Sequence, residues 1–352
     1  MRTFAEALTT ARLAKGLSQE QLAGLAQVSQ EAVSRYETER RIPQPDVLDR
    51  LARALEVTPA FLESIGKIKG AWAVDVHMRR RATARASEWR RLEARLNMLR
   101  NHARYIYEEI DVRTDQVVPT FDPLFMEPDT AARMTRMQWR MPVGPVRSLI
   151  EWVEAAGCLV IEEDFGTERV DGLSQWVDDH PILLLNMHLP IDRKRLTVAH
   201  ELGHLCLHTQ DIGEDVEQEA NRFAAEFLMP AEVIRPQLRN VSLGRLVDLK
   251  RTWSVSIQAL IERGAQLGVL SPERHSMFYK QLSARGWRKQ EPGSSELAPE
   301  TPQLASKIGA ALAERGLTYC EIATFTGFSA DASDNPFLPL TSRRLRVISS
   351  DV

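Results

Sequence analysis

The spacing of apolar residues predicts short helices over residues 4–65, separated by tight turns. Ser18 stands where the second helix would be capped, and Gln21, three residues later, completes a capping-box pattern. Ser29 takes the same place before a third helix over Gln30–Glu37. The pattern therefore predicts an all-α domain at the N-terminus.

Residues 129–286 combine helical spacing with short apolar runs of strand length, which predicts one α+β unit. The expected strands are Cys158–Ile161, Gly172–Val177 and Pro181–Asn186. The helices expected after them are Arg195–Thr209 and Val216–Leu228. The chain as a whole is predicted to be multidomain and mainly α-helical.

The composition is that of a soluble globular protein, with 43% hydrophobic and 26% charged residues among 352. A formal net charge of −3 excludes a basic field over the whole surface, so any contact with DNA must be local. No apolar run approaches the roughly 20 residues of a membrane span, and the N-terminus lacks a signal-peptide core. Three scattered cysteines give no disulfide framework. We therefore expect a cytoplasmic protein without a membrane partner.

The most specific chemical pattern is an HExxH motif, formed by His200, Glu201 and His204. Histidines four residues apart lie on one face of a helix, one turn from each other, and can hold one zinc ion. The intervening Glu201 can reach a water on the metal and act as the general base. The motif therefore predicts a Zn²⁺ site and a peptidase reaction.

A third zinc ligand is expected from the helix that follows the motif, which carries two acidic candidates. At about 100° per residue, Glu217 falls on the edge of the apolar face of this helix, whereas Glu219 points away from it. We therefore predict Glu217 as the ligand and keep Glu219 as the alternative. Asn221 could accept a hydrogen bond from a ligand histidine. His208, one turn after His204, is either a further ligand or a histidine outside the ligand set at the helix end.

The segment GLSQEQLAGLAQVSQEAVSRYETERRIPQPDVLDRLARALEVTPAFL resembles the XRE-type helix-turn-helix family of phage repressors and their bacterial relatives. The resemblance implies a domain whose third helix enters the major groove of a double-stranded DNA operator. Gln30, Glu31 and Arg35 would then face base edges, and glutamine can pair with adenine and arginine with guanine. The resemblance further implies contacts to the DNA backbone from Gln19, Ser29, Ser34 and Arg40.

Charge is distributed unevenly along the first hundred residues. Residues 1–66 carry eight basic side chains against nine acidic ones, so this domain would bind DNA weakly as a monomer. We therefore expect a homodimer on a two-fold operator; the alternative is a module that docks protein. Residues 79–104 carry nine arginines and two glutamates in a helical pattern. This basic helix either adds positive charge beside the DNA-binding domain or packs its apolar stripe on a domain or a second copy.

The stretches RLTVAHELGHLCLH and EQEANRFAAEFLMP, with DGLSQWVDDHPILLLN before them, are similar to the ImmA/IrrE family of metallopeptidases. The resemblance covers about residues 131–286 and implies a zincin-like fold. It also implies that His200, His204 and Glu217 bind zinc and that Glu201 is the general base. Its known members cleave helix-turn-helix repressors, which makes such a repressor the expected protein substrate.

The composition of residues 287–303 predicts a linker. A segment after them is similar in sequence to part of the N-terminal domain. Ala313–Ala323 parallels Leu13–Ala23 at an offset of 300, but the place of a recognition helix is acidic and ends in Pro336. We therefore predict a helix pair that packs or dimerises, followed by a disordered end. The predicted domains are a helix-turn-helix domain at 1–66, a basic helical linker at 67–128, a metallopeptidase domain at 129–286, a linker at 287–303 and a helical segment at 304–352.

Together these features predict a DNA-binding transcriptional regulator with a zinc-dependent endopeptidase domain that cuts a repressor or itself. An extended substrate is expected to pair with the strand Pro181–Asn186. The candidates for stabilising the oxyanion are His180, His188 and Arg195. The alternative is a non-cleaving repressor or antitoxin-like module whose peptidase fold senses a ligand or docks a partner.

Overall fold

The computed structural model describes residues 4–64, 86–107, 109–110, 114, 116–208 and 215–339. The described residues fall into two units. Unit 1 contains those of the ranges 1–70, 89–111 and 303–352, and unit 2 contains those of 71–88 and 112–302. The chain therefore leaves unit 1, builds unit 2 and then returns, so that unit 1 is made from both ends of the chain.

Unit 1 begins with five short helices around a small apolar core. They are α1 (Phe4–Ala14), α2 (Gln19–Ala26), α3 (Gln30–Glu37), α4 (Pro45–Ala54) and α5 (Pro59–Ser64). Ser18 and Gln21 form the capping box that the sequence predicts, and the Ser29 hydroxyl accepts a hydrogen bond from the amide of Ala32. The side chains that fill the core are fully buried: Leu8, Leu22, Val33, Leu51 and Phe61.

The basic helix α6 (Ala86–Tyr107) packs on this core through Ala94 and Met98. Its arginines do not share one environment, because Arg90 is exposed whereas Arg100 is 6% exposed. The apolar stripe of the helix thus lies against a domain, as one of the two interpretations of the sequence requires. The arginines at positions 79–81 and 85 lie outside the described residues.

Unit 2 contains a three-stranded sheet among its described residues, with β1 (Leu159–Glu163), β2 (Gly172–Val177) and β3 (His180–Asn186) in the order β1-β3-β2. β3 runs parallel to β1 and antiparallel to β2. The helices α7 (Pro128–Gln138) and α8 (Leu149–Ala155) precede the sheet. The helices that follow it are α9 (Ile191–Leu207), α10 (Val216–Leu228), α11 (Ala231–Leu238), α12 (Leu243–Trp253), α13 (Ile257–Gln266) and α14 (Pro272–Ala284).

β3 is the central strand, and the residues Ile182–Leu185 in it are fully buried. Its backbone pairs with β1 on one edge and with β2 on the other. A substrate peptide needs an unpaired edge for strand addition. The expectation that Pro181–Asn186 pairs with the substrate is therefore wrong, because both edges of that strand are used.

The helices α9 and α10 approach each other closely at Gly203. A Cβ atom at this position would lie 3.2 Å from the Cα atom of Ala220 and 3.2 Å from side-chain atoms of Phe223. Both distances are at the tight end of ordinary Cβ contacts, so a larger residue would push the helices apart. The glycine inside the HExxH motif therefore sets the spacing of the two helices that carry the candidate ligands.

Residues 287–302, which are most of the segment 287–303 that composition predicts to be a linker, contact the rest of unit 2 through several glutamates. Glu291 accepts from the buried Nζ of Lys250 at 2.8 Å and from the amide of Ile257 at 2.6 Å. Glu296 pairs with Arg251, and Glu300 pairs with Arg195 on α9. This segment therefore braces the N-terminal part of the HExxH helix against α12 and α13.

The last two helices, α15 (Leu304–Glu314) and α16 (Tyr319–Phe325), complete unit 1. The amide of Thr58 donates to the carbonyl of Gly327 at 3.1 Å, and the amide of Ser329 donates to that of Glu56 at 3.0 Å. The His102 ring on α6 stacks between Phe61 and Phe328, at centroid distances of 4.1 and 3.9 Å. The C-terminal helix pair thus packs on the end of the N-terminal helical domain.

The predicted fold class is confirmed, because the chain has an all-α N-terminal region and an α+β unit with one small sheet. The strand Gly172–Val177 and the helix Val216–Leu228 have the predicted bounds. Within the described ranges, every helix is too short or too polar to cross a membrane.

Candidate metal centre and DNA-binding face

The helix α9 brings the two histidines of the HExxH motif together in the interior of unit 2. His200 and His204 are 4% and 7% exposed. Their Nε2 atoms lie 3.0 Å apart, as expected for residues one helical turn from each other. Two ring nitrogens therefore face the same point, where one cation can receive a lone pair from each.

Glu217 on α10 completes a triangle with these two histidines. Its carboxylate oxygens lie 3.5 Å from the Nε2 atom of His200 and 3.5 Å from the Nε2 atom of His204. The three ligand atoms lie within 4.8 Å of one another. Two imidazoles and one carboxylate are a donor set that zinc accepts, and three protein ligands leave a fourth position open. The residues present therefore fit a catalytic type of zinc site.

The second nitrogen of each candidate ligand histidine also has a partner. The Nδ1 atom of His200 lies 3.0 Å from the amide oxygen of Asn221. The Nδ1 atom of His204 lies 3.0 Å from the Nδ1 atom of His208, whose Nε2 atom lies 2.8 Å from a carboxylate oxygen of Glu219. Neither nitrogen of His208 points into the triangle, and the carboxylate of Glu219 binds His208 instead. Burial lowers the pKa of His208, and the hydrogen bond that it donates to Glu219 partly offsets this.

Glu201 lies beside the triangle and is held by a residue that the sequence did not single out. The Ser174 hydroxyl on β2 donates to a carboxylate oxygen of Glu201 at 2.7 Å. Gly172 on the same strand makes room for this contact, since a Cβ atom there would lie 2.7 Å from Thr197 and 3.4 Å from Glu201. The only sequence signal for Ser174 is its alternate position in a strand that precedes the motif.

A cleft of about 1030 Å³ lies next to the triangle, and His200 is part of its wall. Its lining includes apolar residues such as Leu196 and Met229 and charged ones such as Arg193 and Arg288. The cleft therefore has room for side chains of a peptide beside the candidate metal site.

None of the three oxyanion candidates is part of the lining of this cleft. Arg195 is 2% exposed and donates to the carbonyls of Ser254 and Val146 besides its pair with Glu300, so it braces the fold. His188 is paired with Asp164 at 3.3 Å on an exposed surface. Neither of them, nor His180, lines the cleft. The cysteine inside α9 also contributes no thiolate here, because burial strongly raises the pKa of Cys206.

The candidate DNA-binding residues of unit 1 are grouped on α3 and its neighbours. Gln30, Glu31 and Arg35 are exposed on α3, and Arg35 pairs with Glu31 at 2.7 Å. Ser34 is half-buried on the same helix, whereas Ser29 and Arg40 are exposed at its two ends.

A partly buried hydrogen-bond network holds Gln19 at the start of α2. The Nε2 atom of Gln30 donates to the amide oxygen of Gln19 at 2.9 Å, and Gln19 donates to Glu37 at 2.7 Å. Arg12 clamps the same carboxylate with two hydrogen bonds of 2.6 and 3.0 Å. Sequence reasoning missed Arg12 and Glu37, which fix the base of the α3 surface from within the domain.

Two family models match parts of the chain. Residues 8–62 match the family model described as helix-turn-helix. Residues 153–263 match the family model described as IrrE N-terminal-like domain, which belongs to a peptidase family. No curated protein matched the chain in a sequence comparison.

Proposed function

Since this chain joins a helix-turn-helix DNA-binding domain to an IrrE-like domain of a peptidase family, we propose that it is a transcriptional regulator with a zinc-dependent endopeptidase activity. The observation that carries the proposal is the cluster of the buried His200 and His204 with the partly exposed Glu217, next to which Glu201 follows His200 on the same helix. An acid placed next to a three-ligand zinc site is the arrangement that peptide hydrolysis requires.

In this proposal, His200, His204 and Glu217 hold the zinc ion. When bound, zinc polarises the scissile carbonyl and lowers the pKa of water. Glu201 takes the proton of the attacking water and returns it to the leaving amine. Ser174 holds the Glu201 carboxylate by its 2.7 Å hydrogen bond, which keeps the base aimed at one place through both transfers.

The strand β2 is the better candidate for binding an extended substrate. Among the described residues it pairs only with β3, which leaves its second edge without a strand partner. β2 also lies along the motif helix, because Ser174 binds Glu201 and the Trp176 indole donates to the carbonyl of Leu205 at 3.0 Å. A peptide added to this edge by main-chain hydrogen bonds would run past the triangle. A helix-turn-helix repressor, or the chain itself, is the proposed substrate.

On the DNA side, we assign base reading to Gln30, Glu31 and Arg35 of α3. Their exposure and the network behind Gln19 support this assignment. Ser29, Ser34, Arg40 and Gln19 are the proposed backbone contacts. The near-neutral charge of residues 1–66 supports a homodimer as the form that binds an operator.

The full-length protein and its Glu201→Gln variant test the peptidase proposal, with Glu232→Gln as a matched control at an exposed position of α11. Metal analysis should find one zinc per chain in all three proteins. Mass spectrometry of helix-turn-helix repressors incubated with each protein, and of the protein itself, should find specific fragments. Glu201→Gln should slow their formation by about 100- to 10,000-fold, the range for loss of a general base.

Two outcomes would count against the proposal. If the wild-type protein contains no zinc, the proposed metal site is wrong. A zinc-loaded wild type that produces no fragments, or the same fragments as Glu201→Gln, favours the non-cleaving regulator whose peptidase fold senses a ligand or docks a partner.

A further inference from the structure

We infer that His208 and Glu219 are positioning residues for the ligand His204, which they hold in one orientation and one tautomer. The inference rests on the zinc site proposed above and extends it to two residues outside the ligand set. The relevant contacts form a line from the triangle outward, in the order His204, His208, Glu219.

The direction of these hydrogen bonds follows from counting the protons on the two imidazoles. A neutral imidazole carries one N–H group, and a nitrogen that binds a metal cannot carry it. With its Nε2 atom facing the triangle, His204 must carry its proton on Nδ1 and donate to the Nδ1 atom of His208, 3.0 Å away. His208 must then carry its own proton on Nε2, where the carboxylate of Glu219 accepts it at 2.8 Å. Each partner thus fixes the tautomer of the one before it.

Burial keeps water from replacing the hydrogen bonds of His208. The side chain of His208 is fully buried, so water cannot replace either of its contacts, whereas that of Glu219 is 30% exposed. The series of hydrogen bonds therefore starts at the buried ligand His204 and ends on the Glu219 carboxylate, which solvent can stabilise as an anion. A carboxylate behind an imidazole raises the basicity of that ring, and the effect passes through His208 to His204.

The other ligand histidine is held differently. The Nδ1 atom of His200 meets the amide oxygen of Asn221, a neutral acceptor, at 3.0 Å. The two ligands therefore have separate supports on α10, one neutral and one anionic. Loss of one support should leave the other intact, which allows the two to be tested independently.

The test measures the zinc affinity of the full-length protein by competition with a chelator. Glu219→Gln and His208→Phe should each weaken zinc binding by about 10- to 100-fold, the usual cost of losing an outer partner of a ligand. The double variant should be no weaker than the weaker single variant, because both changes break one chain. Glu219→Gln combined with Asn221→Ala should instead lose the product of the two single effects. Glu232→Gln serves as the control.

A second measurement starts from the wild type, where the result does not depend on how well a variant folds. In the zinc-loaded wild type, nitrogen-resolved NMR should find the His204 proton on Nδ1 and the His208 proton on Nε2. In Glu219→Gln, the signal of the His208 proton should move upfield as the bond to the carboxylate is lost.

Distinct results would overturn the inference. Equal zinc affinity of wild type and Glu219→Gln would sink it while leaving the zinc site in place. A loss in Glu219→Gln as large as in Glu217→Gln would make Glu219 a ligand. A wild type that binds no zinc would remove both this inference and the metal site on which it rests.

Discussion

The two candidate sites of this chain differ in how much of their geometry the fold fixes. At the triangle in unit 2, His200 and His204 are 4% and 7% exposed, and their outer nitrogens have partners. On α3 of unit 1, the side chains of Arg35 and Glu31 are 51% and 72% exposed and bind each other. Burial and hydrogen bonds therefore hold the geometry of the histidine pair, whereas the exposed side chains on α3 can exchange their ion pair for contacts with solvent or a ligand.

This difference determines how strongly each site should respond to the substitution of one of its residues. Removing one partner from a buried set leaves other polar groups without hydrogen bonds, which is costly. Exposed ion pairs contribute little, because water and salt replace them easily. We therefore expect losses at the triangle to be nearly complete and losses on α3 to be graded.

The largest effect is expected from His204→Ala, which removes a ligand together with its link to His208. Zinc binding should fall by more than about 100-fold, the upper range for losing only an outer partner. Chelator competition measures the affinity, and DNA binding by unit 1 should remain. Zinc affinity within about 3-fold of the wild type would contradict the buried triangle as the metal site.

The next largest effect concerns the packing that supports the surface site. Phe328→Ala should lower the free energy of unfolding of unit 1 by about 2 kcal/mol, less than the 3–5 kcal/mol of a fully buried phenylalanine because Phe328 is half-buried. Urea denaturation provides the measurement. Tyr319→Ala, at a position 44% exposed on α16, is the control and should change stability by less than about 0.5 kcal/mol. Equal effects of the two variants would show that the tail does not stabilise the unit.

A graded loss is expected from Arg35→Ala on α3. Binding to an operator selected from random duplexes should weaken by about 1–3 kcal/mol, with preference relaxed mainly at one base pair. A titration of labelled duplexes measures both quantities. Uniform weakening on every sequence would instead assign Arg35 to phosphate contact.

His102, which lies outside the metal site, should make the stability of unit 1 depend on pH. Burial lowers the pKa of His102 to about 3; the Thr326 carbonyl opposes this, and Arg95 and Lys15 add to it. Below its ordinary pKa the unfolded chain binds a proton that folded unit 1 does not, so stability is lost as the pH falls. The loss should be about 1.4 kcal/mol from about pH 7.5 to about pH 5.5. Urea denaturation at several pH values should show that His102→Phe lacks this loss of unfolding free energy. An unchanged pH dependence would show that His102 is not its cause.

The smallest effect is expected from Glu31→Gln, which removes the exposed pair with Arg35. Stability should change by less than about 0.5 kcal/mol. DNA binding should become slightly tighter on all sequences, since a negative charge leaves the surface. A stability loss above about 1 kcal/mol would show that the pair is structural, contrary to its exposure.

The sequence predicted those features that depend on local spacing. The capping box of Ser18 with Gln21 on α2 was predicted, because a cap needs only neighbours in sequence, and the structure has a second box at the offset of 300, Thr318 with Glu321 on α16. The HExxH spacing places two imidazoles together on any regular helix. The choice of Glu217 over Glu219 came from helix geometry, and the zinc role of Glu217 stays a prediction.

Features that depend on distant parts of the chain were not predicted. The central place of β3 arises from pairing with two strands, and a strand's own sequence does not show whether its edges are used. Ser174 meets Glu201 only because β2 packs along α9. The docking of Phe328 beside His102 joins residues more than two hundred positions apart, which no local pattern encodes.

The return of the chain to unit 1 also has a consequence for synthesis on the ribosome. Proteins fold as they emerge, N-terminal parts first. Unit 2 ends at residue 302, so it has emerged entirely before the residues that cover Phe61 and His102. The unit whose first helix appears earliest is therefore completed last. A chain truncated after unit 2 would carry α1–α6 without α15 and α16, so unit 1 is completed only when the residues after 302 have been made.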